Sequence, residues 1–181
     1  MYKLSMKKTL FILISLLAIS CSNDDDSPKT DKTSISLVTG VTFRDTADDT
    51  GLQLGNPNSL ANQRFVLYPN PANEFTYILA EQNVTDVWFV SAKAEKIYQD
   101  FNFSTVLNSN LYSEQTIILR SALSLSGLST SNPRLNTSTL AEGYYKVFIK
   151  SGGVIYWDNL YKYDSENHDE AHMNAIKNFW K

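Results

Sequence analysis

The first third of the chain changes pattern twice before settling. An apolar stretch runs from Leu10 to Leu17, and after Cys21 a polar run follows with no large apolar side chain before Ile35. From Ile35 onward apolar and polar positions alternate with period two far more often than with period 3.6. Turn residues break the alternation at short intervals, and this combination predicts strands. Nine strands are expected, at residues 35–38, 41–44, 65–68, 75–80, 84–90, 96–101, 116–120, 144–150 and 154–161. Strands of this number and length suit an all-β fold built as an antiparallel β-sandwich. In YYKVFIKSGGVIYWDNLYKY, Gly152 and Gly153 join two alternating runs, and a tight hairpin needs two such residues that accept positive φ. On the first arm, Tyr145, Val147 and Ile149 form an apolar face, while Tyr144, Lys146, Phe148 and Lys150 form a mixed one.

Three segments depart from this rhythm. GVTFRDTADDTGLQLGNPNS carries the turn signals ADDTG and LGNPN and reads as an extra hairpin packed on the sandwich. Residues 102–139 are rich in Ser, Asn, Thr and Leu and read as a long insertion containing at least one strand around Ile117. Residues 164–181 read as a short helix capped by Ser165, with Lys177 and Lys181 near its end. Met173, Ile176, Phe179 and Trp180 fall on one stripe of that helix. The stripe either packs on the sandwich and shields a sheet edge or docks into a groove on a partner.

Two long segments resemble a known family. YPNPANEFTYILAEQNVTDVWFVSAKAEKIYQD and LNTSTLAEGYYKVFIKSGGVIYWDNLYKY are similar to the C-terminal sorting domain of proteins exported by the type nine secretion system. The matching residues are Tyr68 to Ala72 in the opening YPNPA turn, Val87 to Val90 with Lys96 to Tyr98, and the L-x-x-G-x-Y run through Leu140, Gly143 and Tyr145. The resemblance spans residues 65–163 and implies an immunoglobulin-like sandwich. It departs from the family in carrying a cysteine-terminated leader, in lacking a cargo domain ahead of the sandwich, and in continuing past Tyr163 to Lys181. The central turn also reads SAKAE where the family has glycine. The fold is therefore expected to transfer more readily than the sorting role.

The leader changes the picture most. Lys7 and Lys8, the apolar run, and the small residues Ala18 and Ser20 before Cys21 make residues 1–20 a lipoprotein signal peptide, with lipidation at Cys21. The run is shorter than the roughly 20 residues of a spanning helix, so lipid anchoring in a membrane is expected. Residues 21–34 read as an acidic flexible tether, and residues 35–163 as the sandwich domain. Ser22, Asn23, Asp24, Asp25 and Asp26 resemble the export signal that sends Bacteroidota-type lipoproteins to the outer face of the outer membrane. Removing the leader takes away Lys3, Lys7 and Lys8 and no acid, so the mature chain is more negative than the formal −3 of the whole sequence. Nucleic acid is not an expected partner. With one cysteine, no disulfide can form within the chain.

Candidate chemistry is sparse. His168 and His172 stand one helical turn apart with acids between them, but Asp169 sits where a metalloprotease needs its glutamate and no third histidine exists. No metal, cofactor or catalytic residue is expected. Asp45-Thr46-Ala47 resembles a short O-glycosylation acceptor at Thr46. The leading expectation is a non-enzymatic surface lipoprotein that binds an outer-membrane protein as accessory subunit of a secretion or transport complex, with Met173, Ile176, Phe179 and Trp180 as candidate contacts. The alternatives are a type nine secretion substrate and a glycan-binding adhesin using Trp157, Tyr156 or Trp88.

Overall fold

The computed structural model describes residues 31–61, 63–164 and 169–181. Ten strands make up most of it: β1 (Leu37–Val38), β2 (Gly40–Phe43), β3 (Leu52–Gly55), β4 (Phe65–Tyr68), β5 (Phe75–Ala80), β6 (Val84–Ala94), β7 (Ser121–Thr130), β8 (Arg134–Asn136), β9 (Gly143–Ser151) and β10 (Val154–Lys162). Two helices, α1 (Glu114–Arg120) and α2 (Glu170–Trp180), complete the order. The fold is the expected all-β sandwich with a C-terminal helix. A five-stranded sheet runs β1-β6-β9-β10, with β7 also paired to β6, and faces a three-stranded sheet β4-β5-β8. Between them lies a core of Phe65, Leu67 and Ile78 from one sheet and Val87, Phe89, Tyr145, Val147, Ile149 and Leu160 from the other.

Several local expectations hold. The β9–β10 hairpin turns at Gly152 and Gly153, with φ of 59° and 79°, and Val154 pairs with Ser151. The upstream segment forms the β2–β3 hairpin, Gly40 opposite Gly55. The L-x-x-G-x-Y run makes a tyrosine corner: Leu140 is buried, Gly143 takes a φ of 145°, and the Tyr145 hydroxyl donates back to the Ala141 carbonyl at 2.8 Å. In YPNPA, Asn70 is buried. Its amide donates to the carbonyls of Thr42 (2.8 Å) and Asn159 (2.9 Å) while its oxygen accepts from the Tyr161 N–H (3.0 Å). One side chain thus ties β2 to β10.

Three expectations fail, each for a local reason. Residues 116–120 are helical, because the Ser113 hydroxyl caps the Thr116 N–H at 3.2 Å and Glu114 and Arg120 stand at the dipole-favoured ends. Ile117 alone is buried there. Residues 96–101 are not a strand. Tyr98 takes a φ of 57°, and the Asn56 amide collects the carbonyls of Tyr98 and Phe101, both at 2.8 Å, so no ladder forms. Residues 121–130, expected as part of an insertion, are the long strand β7, antiparallel to β6 with Leu123 opposite Phe89 and Leu125 opposite Val87. The tether boundary also moves, since Asp31 and Ser34 already close a turn, Ser34 N–H to Asp31 carbonyl at 2.8 Å.

The outer face of the five-stranded sheet is covered as well. Phe103, Leu107, Tyr112 and Ile117 from the insertion bury Trp88, Phe148 and Trp157. The β2–β3 hairpin and α2 bury Tyr161 with Val41, Leu54, Ile176 and Trp180. The mixed face of β9 is therefore interior, which the alternation alone did not indicate.

Candidate functional site

Lys146 and Asn159 face each other across β9 and β10, between the two outer-face clusters, and both are fully buried. Among the described residues the Lys146 ammonium reaches only the Ser34 carbonyl, at 3.5 Å, and stands 5.7 Å from the Tyr112 ring centroid. Burial pushes its pKa down to about 7, because desolvation disfavours the charged form and no carboxylate compensates. Asn159 donates to the Gly40 carbonyl at 2.8 Å and to Asn58 Oδ1 at 3.0 Å. Asn58 in turn donates to the Leu37 carbonyl at 2.9 Å and its carbonyl accepts from Trp157 Nε1 at 3.0 Å. Asn159 Oδ1 and the Tyr112 hydroxyl are buried with no partner among the described residues. This seam holds β1, β2 and the 56–58 turn against β10, and it offers no arrangement of nucleophile, base and acceptor.

Helix α2 lies against the β2–β3 hairpin. Its cap is Asp169, whose carboxylate accepts from the His172 N–H at 2.7 Å. The expected cap, Ser165, lies outside the described residues. Trp180 Nε1 donates to the Tyr144 hydroxyl at 3.0 Å, and a Cβ on Gly55 would come within 2.6 Å of the Trp180 ring. Of the stripe expected to contact a partner, Ile176 and Trp180 are buried against the chain's own sandwich and Met173 packs beside them. Only Phe179 stays 44% exposed. The packing reading of the helix holds, and Ile176 and Trp180 are withdrawn from any partner surface, because the hairpin supplies the apolar cover they need.

His172 Nε2 lies 2.9 Å from the Tyr161 hydroxyl and 3.3 Å from Glu142 Oε1, and Tyr161 donates to Glu142 at 2.9 Å. Burial first, then the Glu142 carboxylate, raises the Tyr161 pKa. The cluster fastens α2 to β10 and the turn before β9. His168 lies outside the described residues, and among those described no three metal-ligating side chains converge.

A cleft of about 450 Å3 opens between the β2–β3 hairpin tip and α2, lined by Phe43, Arg44, Asp45, Asp49, Met173 and Lys177 among others. The Asp49 carboxylate is engaged by the loop itself, accepting from the Gly51 N–H (2.9 Å) and the Asp45 N–H (3.4 Å). These two bonds, the Gly51 one foremost, hold its pKa below the usual carboxylate range. Thr46 is exposed in the same loop.

The aromatic platform expected for a glycan loses two of its three members. Trp157 and Trp88 are buried under the insertion, and only Tyr156 remains partly exposed, at the margin of the main core. The residues that sequence reasoning missed are Ile118 and Leu119 on α1, 51% and 84% exposed. The Lys150–Glu114 ion pair at 2.8 Å ties α1 to β9, so the apolar pair sits on an anchored element. Reading the segment as a strand put alternate residues inside and hid them. Cys21 and the acidic run Ser22, Asn23, Asp24, Asp25 and Asp26 lie outside the described residues. No helix among the described residues is long and apolar enough to cross a membrane. No family model, curated protein or solved structure matches the chain.

Proposed function

We propose that this chain is a non-enzymatic lipoprotein, anchored through Cys21 to the outer membrane and facing the exterior, which binds an outer-membrane protein as accessory subunit of a secretion or transport complex. The single observation that carries the binding role is the exposed pair Ile118 and Leu119. Adjacent large apolar side chains presented on a capped, ion-paired helix offer a partner apolar area whose burial would favour binding. The leader and the run from Ser22 to Asp26 support the address, and the resemblance to sorting domains supports a link to secretion. The test is to tag the C-terminus, extract native membranes in mild detergent and quantify what co-purifies. A β-barrel or secretion component at equal abundance is expected, and Leu119→Ser should release it while leaving the melting temperature unchanged. Recovery of the lipoprotein alone would overturn the reading.

A second reading, a type nine secretion substrate, is supported by Tyr68 to Ala72 and the Leu140 to Tyr145 run. Asn70, Leu140, Gly143 and Tyr145 all have architectural work in this fold, which explains the same residues without a translocon. Surface persistence of the protein after that translocon is disabled would exclude the second reading.

A further inference from the structure

The two edges of the five-stranded sheet are treated differently. From Trp157 to Tyr163 the outward backbone of β10 is occupied at every step. Leu60 exchanges hydrogen bonds with Trp157 (2.8 and 3.4 Å), and Ala72 bonds the Tyr161 carbonyl (2.8 Å) and the Tyr163 N–H (2.9 Å). Between them the Asn70 side chain takes the Asn159 carbonyl and the Tyr161 N–H, and the Asp158 carboxylate takes the Asn159 N–H at 2.8 Å. Those contacts also fix which residues face which way, since backbone direction alternates across an antiparallel sheet. If Trp157, Asn159 and Tyr161 point out from β10, then Lys146 and Phe148 on β9 point to β6, and Val87 and Phe89 on β6 point to β7. Lys93 confirms the parity by donating to the Ser36 carbonyl on that same side at 2.9 Å. Leu123 and Leu125 therefore bond to β6, and Ser124 and Ser126 turn their N–H and C=O groups outward. Among the described residues no backbone hydrogen bond beyond the β6 ladder reaches them.

Of the usual edge protections, β7 has a register shift towards each end but neither charge nor proline, whereas exposed edges are ordinarily blunted by lysine, proline or a covering element. Pairing is regular for residues 123–126, between a register shift at Phe89/Val90 that leaves Ala122 unpaired and Gly127 at a φ of 70°. Leu123 and Leu125 are half-buried at the margin of the main core, with Ser124 and Ser126 exposed on the other face.

We propose that β7 pairs antiparallel with β7 of a second copy, two-fold related about Ser124, to make one sheet continuous through both sandwiches. The occupant is argued from complementarity. A strand added here must put apolar side chains beside Leu123 and Leu125 and polar ones on the opposite face, and β7 itself has that pattern. In this register Ser124 meets its own mate and Leu123 meets Leu125 twice, so both half-covered leucines gain an apolar cross-strand neighbour. No like charges oppose each other, and the two-fold operator closes the assembly as a dimer. The inference is independent of the partner bound at Ile118 and Leu119.

The test uses the full chain in detergent, by sedimentation and by hydrogen exchange. A concentration-dependent dimer is expected, with the Ser124 and Ser126 amides protected only at high concentration. Ser124→Pro removes an outward N–H that serves no internal bond, and edge strands accept proline there. It should keep the melting temperature and weaken dimerisation about tenfold or more. Ser124→Lys and Ser124→Glu should each be monomeric, and an equimolar mixture of the two should dimerise. A chain that stays monomeric at its solubility limit overturns the proposal. So does a dimer unaffected by Ser124→Pro, or one in which the two charged variants fail to rescue each other.

Discussion

Replacing Lys146 with methionine should stabilise this protein and erase part of its pH dependence. The ammonium is fully buried with one long hydrogen bond, 3.5 Å to the Ser34 carbonyl. Its pKa falls from the ordinary 10.5 to about 7. At about 1.4 kcal/mol for each pH unit of difference, keeping that amine in the core costs about 4 kcal/mol at pH 7. Between the two pKa values the unfolded chain holds a proton that the folded chain does not, so stability rises with pH, by about 2 kcal/mol from pH 7 to pH 9. Below pH 7 both states bind the proton and the contribution is flat. Asp158, raised by burial to about 6, acts elsewhere: the folded chain keeps a proton the unfolded chain releases, so its effect is a fall in stability between pH 3.8 and 6, complete before the lysine window opens. Tyr112, Tyr144, Tyr145 and Tyr161 are all raised by burial, and they lower stability only as unfolded tyrosines ionise near pH 10. Methionine matches the length of the stem and gives up the Ser34 bond and the Tyr112 contact, so the net gain at pH 7 should be about 2 kcal/mol. Urea unfolding of both proteins at pH 7, 8 and 9 measures it. The variant curve should be higher and nearly level. A variant less stable at pH 7, or one retaining the full slope, would refute the assignment of an uncompensated buried amine.

Asn70→Ala removes a side chain that satisfies three backbone groups across β2 and β10. At about 1 kcal/mol or more for each group left unpaired, it should cost about 3–4 kcal/mol, and a loss under 1 kcal/mol in urea unfolding would show that water replaces it freely. Trp180→Ala leaves a hole between Gly55, Tyr144 and Ile176 and unpairs the Tyr144 hydroxyl. It should cost about 3 kcal/mol, read by the same assay, and an unchanged midpoint would mean that α2 is not part of the cooperative unit.

Alternation and turn chemistry by themselves determined the strands that bury one face in a local hairpin. The Gly152 and Gly153 turn, the β2–β3 hairpin and the apolar set Tyr145, Val147 and Ile149 were all legible, because a period of two and residues that accept positive φ are encoded within a few positions. The period-two leucines of β7 were equally present in the sequence, but the serines and glycine between them have low strand propensity and masked them. Only the tertiary structure decided what covers the outer face of the sheet. That cover comes from residues far along the chain: the insertion closes over Trp88, Phe148 and Trp157, and α2 closes over Tyr161. The same closure turned Lys146 from a solvent-facing residue into a buried amine and removed the tryptophans from any outer platform. It could not be read locally, since a side chain's environment is set by the elements packed on it and not by its own neighbours in sequence. The contrast between the sealed β10 edge and the open β7 edge has the same origin. Which backbone groups find partners depends on where Leu60, Asn70 and Ala72 come to rest, and that is a property of the whole fold.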